Sequence, residues 1–119
     1  MKVAIILHEG TERAESLGRA VHALLYAQEV HEAGGQVQVV LDGAGTLWVA
    51  RFADPEFPYA ALYRQVRDAG LIAGVCDYCA GAFGVTAQVQ ASGLPLVKEY
   101  QGHPSLVGLI REGYQVVVL

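Results

Sequence analysis

The sequence predicts an α/β domain in which five strands alternate with helices, pair in parallel and are covered by helices on both faces. Three observations predict it. Short apolar runs rich in β-branched residues recur along the chain. Stretches with apolar residues three and four apart lie between them. Glycine, proline or short polar clusters separate the two kinds of segment. Such alternation forces parallel pairing with right-handed crossovers, because each strand must return past a helix before the next begins. At 119 residues the chain is expected to be a single domain, residues 1–119, with enough surface to bury a core.

The elements follow in order. Val3 to Leu7 is continuously apolar and reads as a strand buried on both faces. His8 to Glu12 is a polar loop. Glu15 to Ala33 is a long helix with Leu17, Val21, Leu24, Leu25 and Gln28 on one face, ended by Gly34-Gly35. Val37, Val39, Val40 and Leu41 form the second strand, and Asp42-Gly43-Ala44-Gly45-Thr46 is a glycine-rich loop at its end. A short helical turn runs to Phe52, then a loop broken by Pro55 and Pro58. Tyr59 to Ala69 is a helix carrying Leu62, Tyr63 and Val66 on one face, stopped by Gly70. Leu71 to Val75 is the third strand, and Cys76-Asp77-Tyr78-Cys79 is the turn out of it. Ala80 to Ala91 reads as a helix weakened by Gly81 and Gly84. Leu94 to Val97 is a short strand and Glu99 to His103 a loop. Pro104 to Glu112 is the last helix, with Pro104 in its first turn and Gly113 as its cap. Gln115 to Leu119 is the last strand.

Composition bounds the function. Hydrophobic residues make up 53% of the chain and charged residues 17%, which excludes a disordered chain. So much apolar material in a small domain points to surface buried between subunits, and hence to a homo-oligomer. The net charge is −4, and no basic run tracks a phosphate backbone, so nucleic acid is not an expected partner. The apolar N-terminus stops at His8-Glu9-Gly10, too short for a signal segment or a membrane span. A cytoplasmic protein without a membrane partner is expected. Two cysteines in a reducing compartment favour catalytic, redox or metal-binding roles over a structural disulfide.

Ligands of an open parallel sheet gather outside the carboxyl ends of its strands. His8 to Glu12, Asp42 to Thr46, and Cys76 to Cys79 converge there if their strands are neighbours. Cys76 sits where a strand ends and a helix begins, so unpaired amides and the helix dipole should lower its thiol pKa. Cys79, three residues on, is placed to resolve a persulfide or mixed disulfide on Cys76. Four readings fit the pair: a sulfur-handling or redox thiol, a buried pair kept for packing, a metal site completed by His8 or His103, and thioredoxin-like exchange. The position favours the first. The second zinc knuckle, or H-x-x-x-H, of a strong zinc pattern is absent. Val75 precedes the motif where thioredoxin-like sites carry tryptophan; the single tryptophan is Trp48.

A strand followed by Cys76-Asp77-Tyr78-Cys79-Ala80-Gly81-Ala82-Phe83-Gly84-Val85, then a polar loop and a C-terminal Gly113-Tyr114-Gln115-Val116-Val117-Val118, resembles the DsrE/DsrF-like family, with its YchN-like and TusD-like proteins. Asp42-Gly43-Ala44-Gly45 after the second strand fits as well. The resemblance covers nearly the whole chain. It implies a three-layer α/β/α sandwich with a five-stranded parallel sheet, assembled as trimers or hexamers. It also implies intracellular sulfur transfer with donor and acceptor proteins, by a sulfurtransferase or persulfide carrier. The sulfur-bearing cysteine lies eight residues before Gly-Val, which picks Cys76 through Gly84 and Val85. Cys79 matches the second cysteine of the YchN-like branch and would help resolve or release the sulfur.

Other residues are weaker candidates. His8 could act as a base or hold a thiolate as an ion pair, and a solvated loop explains it as well. The amides of Gly43 and Gly45 could cradle a small anionic ligand, or the glycines could serve only a tight turn. The loop lacks the Gly-Lys-Ser/Thr of a Walker A motif and does not open the first βα unit, so no nucleotide cofactor is expected. Trp48, Phe52, Phe57 and Tyr59 could cover the cysteine pocket, form a subunit contact or pack the core. His22 and His31 read as surface histidines, and His103 as a loop residue near a helix start. The preferred reading is persulfide transfer without cofactor or metal; the alternative is a non-enzymatic oligomeric module binding a small ligand or metal.

Overall fold

The computed structural model describes the whole chain, Met1–Leu119. Its elements are β1 (Lys2–Leu7), α1 (Ser16–Glu32), β2 (Gln36–Leu41), a 3₁₀ turn over Gly43–Leu47, α2 (Trp48–Phe52), α3 (Ala60–Asp68), β3 (Ile72–Cys76), α4 (Asp77–Ala82), α5 (Thr86–Ser92), β4 (Leu96–Val97), α6 (Leu106–Arg111) and β5 (Gln115–Val118). The five strands form one parallel sheet in the order β4-β3-β2-β1-β5.

That order explains an unequal sandwich. The chain steps from β1 to β4 always in one direction, and right-handed crossovers then keep the intervening helices on one face. The return from β4 to β5 reverses direction and puts α6 on the other face. Strand alternation follows suit. Ile5, Leu7, Val37, Val39 and Leu41 join Ala20, Leu24, Tyr63, Val66 and Val89 in the main core. Ala4 and Ile6 point the other way and meet only Leu109 of α6, with Tyr114 and Val116 beside them. Both helical layers are present, and one is a single short helix. A cleft of about 160 Å³ between that helix and the sheet is lined by Gln38, Val40, Glu99, Ser105 and Glu112, with no cysteine or histidine among its walls.

Local details differ from the sequence reading for physical reasons. The buried side of α1 is Ser16, Ala20, Val21, Ala23, Leu24 and Ala27, so small residues seat the helix close to the sheet, whereas Leu25 faces solvent. The stretch from Ala80 to Ala91 is two helices. Gly84 adopts φ 72°, the Gly84 amide bonds the Gly81 carbonyl at 3.1 Å, and the Val85 amide reaches back to Ala80 at 2.8 Å. This paired closure is a glycine helix stop, and the buried Val85 completes it against the core. Pro104 lies outside α6, which Ser105 caps by accepting the Gly108 amide at 2.9 Å. The glycine-rich segment after β2 is an ordered 3₁₀ turn rather than an open loop. Trp48 and Phe52 are core residues with Phe57 against them, and Tyr59 is half exposed, so this aromatic segment packs the interior. No helix is long and apolar enough to cross a membrane.

Candidate functional site

Three neighbouring strand ends build one cluster. β2 delivers Asp42, β3 delivers Cys76, and the first turn of α4 adds Cys79. The fourth member arrives after β4. There Gln101 and Gly102 take positive φ (49° and 83°), and Tyr100 and His103 exchange both backbone hydrogen bonds at 2.8 Å. This two-residue turn has the twist of a hairpin loop. It folds His103 back over the cysteines, and the Tyr78 amide anchors it by donating to the Gly102 carbonyl at 3.0 Å. The Tyr78 and His103 rings pack with centroids 4.9 Å apart.

His103 Nδ1 lies 3.3 Å from Cys76 Sγ and 3.8 Å from Cys79 Sγ. The Cys79 thiol donates to Asp42 Oδ1 at 3.6 Å. Cys76 Sγ accepts the Cys79 amide at 3.4 Å and has the Gly102 carbonyl at 3.7 Å. Both cysteines are free. Cys76 has no solvent exposure; Asp42, Cys79 and His103 are partly exposed and give the cluster its open side.

The electrostatics overturn one expectation. Burial pushes the Cys76 thiol up to about 12, with the neighbouring Cys79 thiol and Asp42 carboxylate acting in the same direction. The single amide of Cys79 pulls the other way and loses. Desolvation of a thiolate outweighs one N–H at the start of a six-residue helix.

The other expected residues fall around this cluster. His8, half exposed, sets Nε2 3.5 Å from Asp42 Oδ2 and touches neither sulfur. The amides of Gly43 and Gly45 are already engaged, by Asp42 Oδ1 and by the Asp42 carbonyl, both at 2.8 Å. Gly43 is set by its positive φ of 54°, whereas steric approach explains Gly45, where a Cβ would stand only 2.0 Å from the Leu7 carbonyl oxygen. Glu9 turns away. Its carboxylate takes Arg13 at 2.7 Å and Ser16 at 2.8 Å, and these hydrogen bonds hold it below the usual carboxylate range. The crevice between β1 and β5, where strand order reverses, is closed by His8 and Glu9 amides on the Leu119 carbonyl. The site therefore lies away from the place where open α/β sheets most often bind ligands.

The sequence places His103 beside the cysteines only in the metal reading, as an alternative to His8, and brings Asp42 near them only as part of a converging loop. The Gln-Gly pair before His103 was the available signal, since glycine second in a two-residue turn folds the chain back on itself.

Comparison with known proteins agrees with this architecture. The uncharacterized protein MJ0733 of Methanocaldococcus jannaschii is 28% identical over 120 residues, covering 100% of this chain and 96% of that one. A conserved protein of unknown function from Bacteroides thetaiotaomicron, BT1422, superposes with a TM-score of 0.68 at 19% identity, covering 99% of this chain and 94% of that one, and so shares the fold. The profile of the DsrE/DsrF-like family matches residues 1–119, and the chain belongs to that family.

Proposed function

We propose that this protein carries sulfane sulfur as a persulfide on its Cys76–Cys79 pair. The observation that supports it is the pair of free thiols at the carboxyl end of β3 with one histidine beside both sulfurs. Cys79 is the thiol a donor reaches, since Cys76 is fully buried. The two cysteines thus exchange the roles that the family spacing implies. Cys79 gives its proton to His103 and attacks the outer sulfur of a donor persulfide, R–S–SH. A Cys79–S–SH group forms and R–S⁻ leaves. An acceptor thiolate then takes the outer sulfur and leaves the Cys79 thiolate, which recovers the proton. Alternatively, once His103 has handed its proton to the departing R–S⁻, Cys76 gives its own proton to the imidazole and attacks Cys79 Sγ, closing a disulfide and expelling HS⁻; a cellular thiol reduces the disulfide. Sulfur donor and acceptor proteins are the partners this reading requires.

Intact-mass spectrometry after incubation with glutathione persulfide tests it. Wild type should gain one sulfur, Cys79→Ser none, and Cys76→Ser should keep the gain and hold it longer. No gain in wild type, with both thiols slow to alkylate, makes the pair structural. A gain that needs Cys76 and not Cys79 returns uptake to the buried cysteine and overturns the exchanged roles.

A homo-oligomer belongs to the same proposal. The outer face of α6 exposes Leu106, Val107 and Ile110, each more than half accessible, and β5 is an open edge that exposes Val118. These apolar groups are best satisfied by a second copy, and the family resemblance suggests trimers or hexamers. Light scattering behind size exclusion should show an assembly for wild type and a folded monomer for Ile110→Glu. A monomeric wild type at tens of micromolar would remove the oligomer from the reading.

A further inference from the structure

We propose that Asp42, Cys76, Cys79 and His103 form a four-coordinate site for a thiophilic divalent cation of the zinc(II) kind. The donor set is two sulfurs, an imidazole nitrogen and a carboxylate oxygen, all groups that zinc accepts; two thiolates bias the site against magnesium and calcium. One ligand atom from each residue lies within 4.8 Å of all the others. A zinc tetrahedron with bonds of about 2.0–2.3 Å has edges of roughly 3.3–3.8 Å. Three of the pairs already stand at such spacings, namely 3.3 Å for Cys76–His103, 3.6 Å for Cys79–Asp42 and 3.8 Å for Cys79–His103. The other three pairs stand within 4.8 Å, so closures of at most roughly an ångström to an ångström and a half complete the figure.

The ligands are also supported from behind, as metal ligands generally are. The Gly43 amide holds Asp42 Oδ1 at 2.8 Å, and His8 sits 3.5 Å from Oδ2. The Cys79 amide points at Cys76 Sγ. Backbone bonds on both sides of the Gln101-Gly102 turn set the position of His103. The partly exposed Asp42, Cys79 and His103 leave a route by which a hydrated ion enters. Binding deprotonates both thiols, releases two protons and involves no change of oxidation state. The four ligands come from three separate strand ends, so no zinc-like spacing appears in the sequence beyond the single C-x-x-C. A bound cation would occupy both thiols, so metal and persulfide exclude one another at this site.

Cobalt(II) added to reduced, metal-free protein is the test, since its spectrum reports both geometry and sulfur ligation. The expected result is one cobalt per chain, with tetrahedral ligand-field bands and sulfur-to-cobalt charge transfer, both bleached by zinc(II). Cys79→Ser should lose part of the charge transfer. In competition with a chromophoric chelator, His103→Ala and Asp42→Asn should each weaken zinc binding by about 10–100-fold or more. An octahedral cobalt spectrum in wild type overturns the proposal without recourse to any variant. Unchanged affinity in both His103→Ala and Asp42→Asn also overturns it, because the metal would then rest on the thiols alone. Sulfur uptake is measured separately on metal-free protein, so failure of one reading leaves the other standing.

Discussion

Gly45→Ala should lower the stability of the protein by about 3 kcal/mol or more, at or beyond the upper end of overpacking costs. The new Cβ would stand 2.0 Å from the Leu7 carbonyl oxygen and 2.8 Å from the Leu7 carbonyl carbon. Both are backbone atoms inside the sheet, so no flexible side chain can yield. The 3₁₀ turn must instead lift away from β1. That motion strains the Gly45 amide bond to the Asp42 carbonyl and draws Asp42 away from Cys79. The thermal midpoint should fall by roughly 10 °C or more for a domain of this size. Gly81→Ala is the matched control. Nothing lies within 4 Å of a Cβ at Gly81, which sits inside α4. Alanine there should raise stability by about 0.5–1 kcal/mol through helix propensity and chain entropy. Thermal unfolding by circular dichroism reads both. Equal midpoints for Gly45→Ala and wild type would show that the turn is loosely seated and does not fix Asp42.

Most of the fold was legible because its signals are local. Four of the strands are four to six residues long and mostly apolar, and the hydrophobic pattern finds them without tertiary information. Where local and tertiary preferences compete, the reading fails in a consistent way. Leu25 matches a helical apolar stripe, yet the sheet face selects Ala20, Ala23 and Ala27, since small side chains allow close approach. From the sequence Gly84 reads as a weak spot in one helix. Positive φ and the paired closure onto Ala80 and Gly81 turn it into a stop that lets α5 start in a new direction.

The site divides along the same line. The cysteine pair was legible because it stands at a strand-to-helix junction in one continuous segment. Asp42 and His103 are 34 and 27 residues from Cys76, and they meet it only because β2 and β4 flank β3. Periodicity does not give strand order. It also does not predict that a two-residue turn will carry His103 back across the cysteines. The Cys76 pKa follows the same division. Helix amides are read from position, whereas the burial that dominates depends on what the Tyr100–His103 turn covers.

Trp48→Ala should cost about 3–5 kcal/mol, a large fraction of the 5–15 kcal/mol that holds a typical domain together. Trp48 is 2% exposed and packs its ring at a tilt against Phe52 and Phe57 at centroid distances of 5.5 and 6.4 Å. Phe52 in turn stacks on Tyr63 of α3 at 5.1 Å, so one wedge ties the segment after β2 to the helix before β3. Truncation leaves a cavity that these rings cannot fill without leaving their own packing. A second loss follows from polarity. The indole Nε1 donates to the Glu9 carbonyl at 2.7 Å, which fixes the chain just beyond His8. Trp48→Phe separates the two effects. It retains most of the ring and removes the donor, so its cost should be about 1–3 kcal/mol, the range for an unpaired buried acceptor. Urea unfolding measures both variants. If Trp48→Phe matched wild type while Trp48→Ala fell by the full amount, the wedge would act by packing alone. The loop carrying His8 toward Asp42 would then be held by the Glu9 carboxylate and its arginines rather than by the indole.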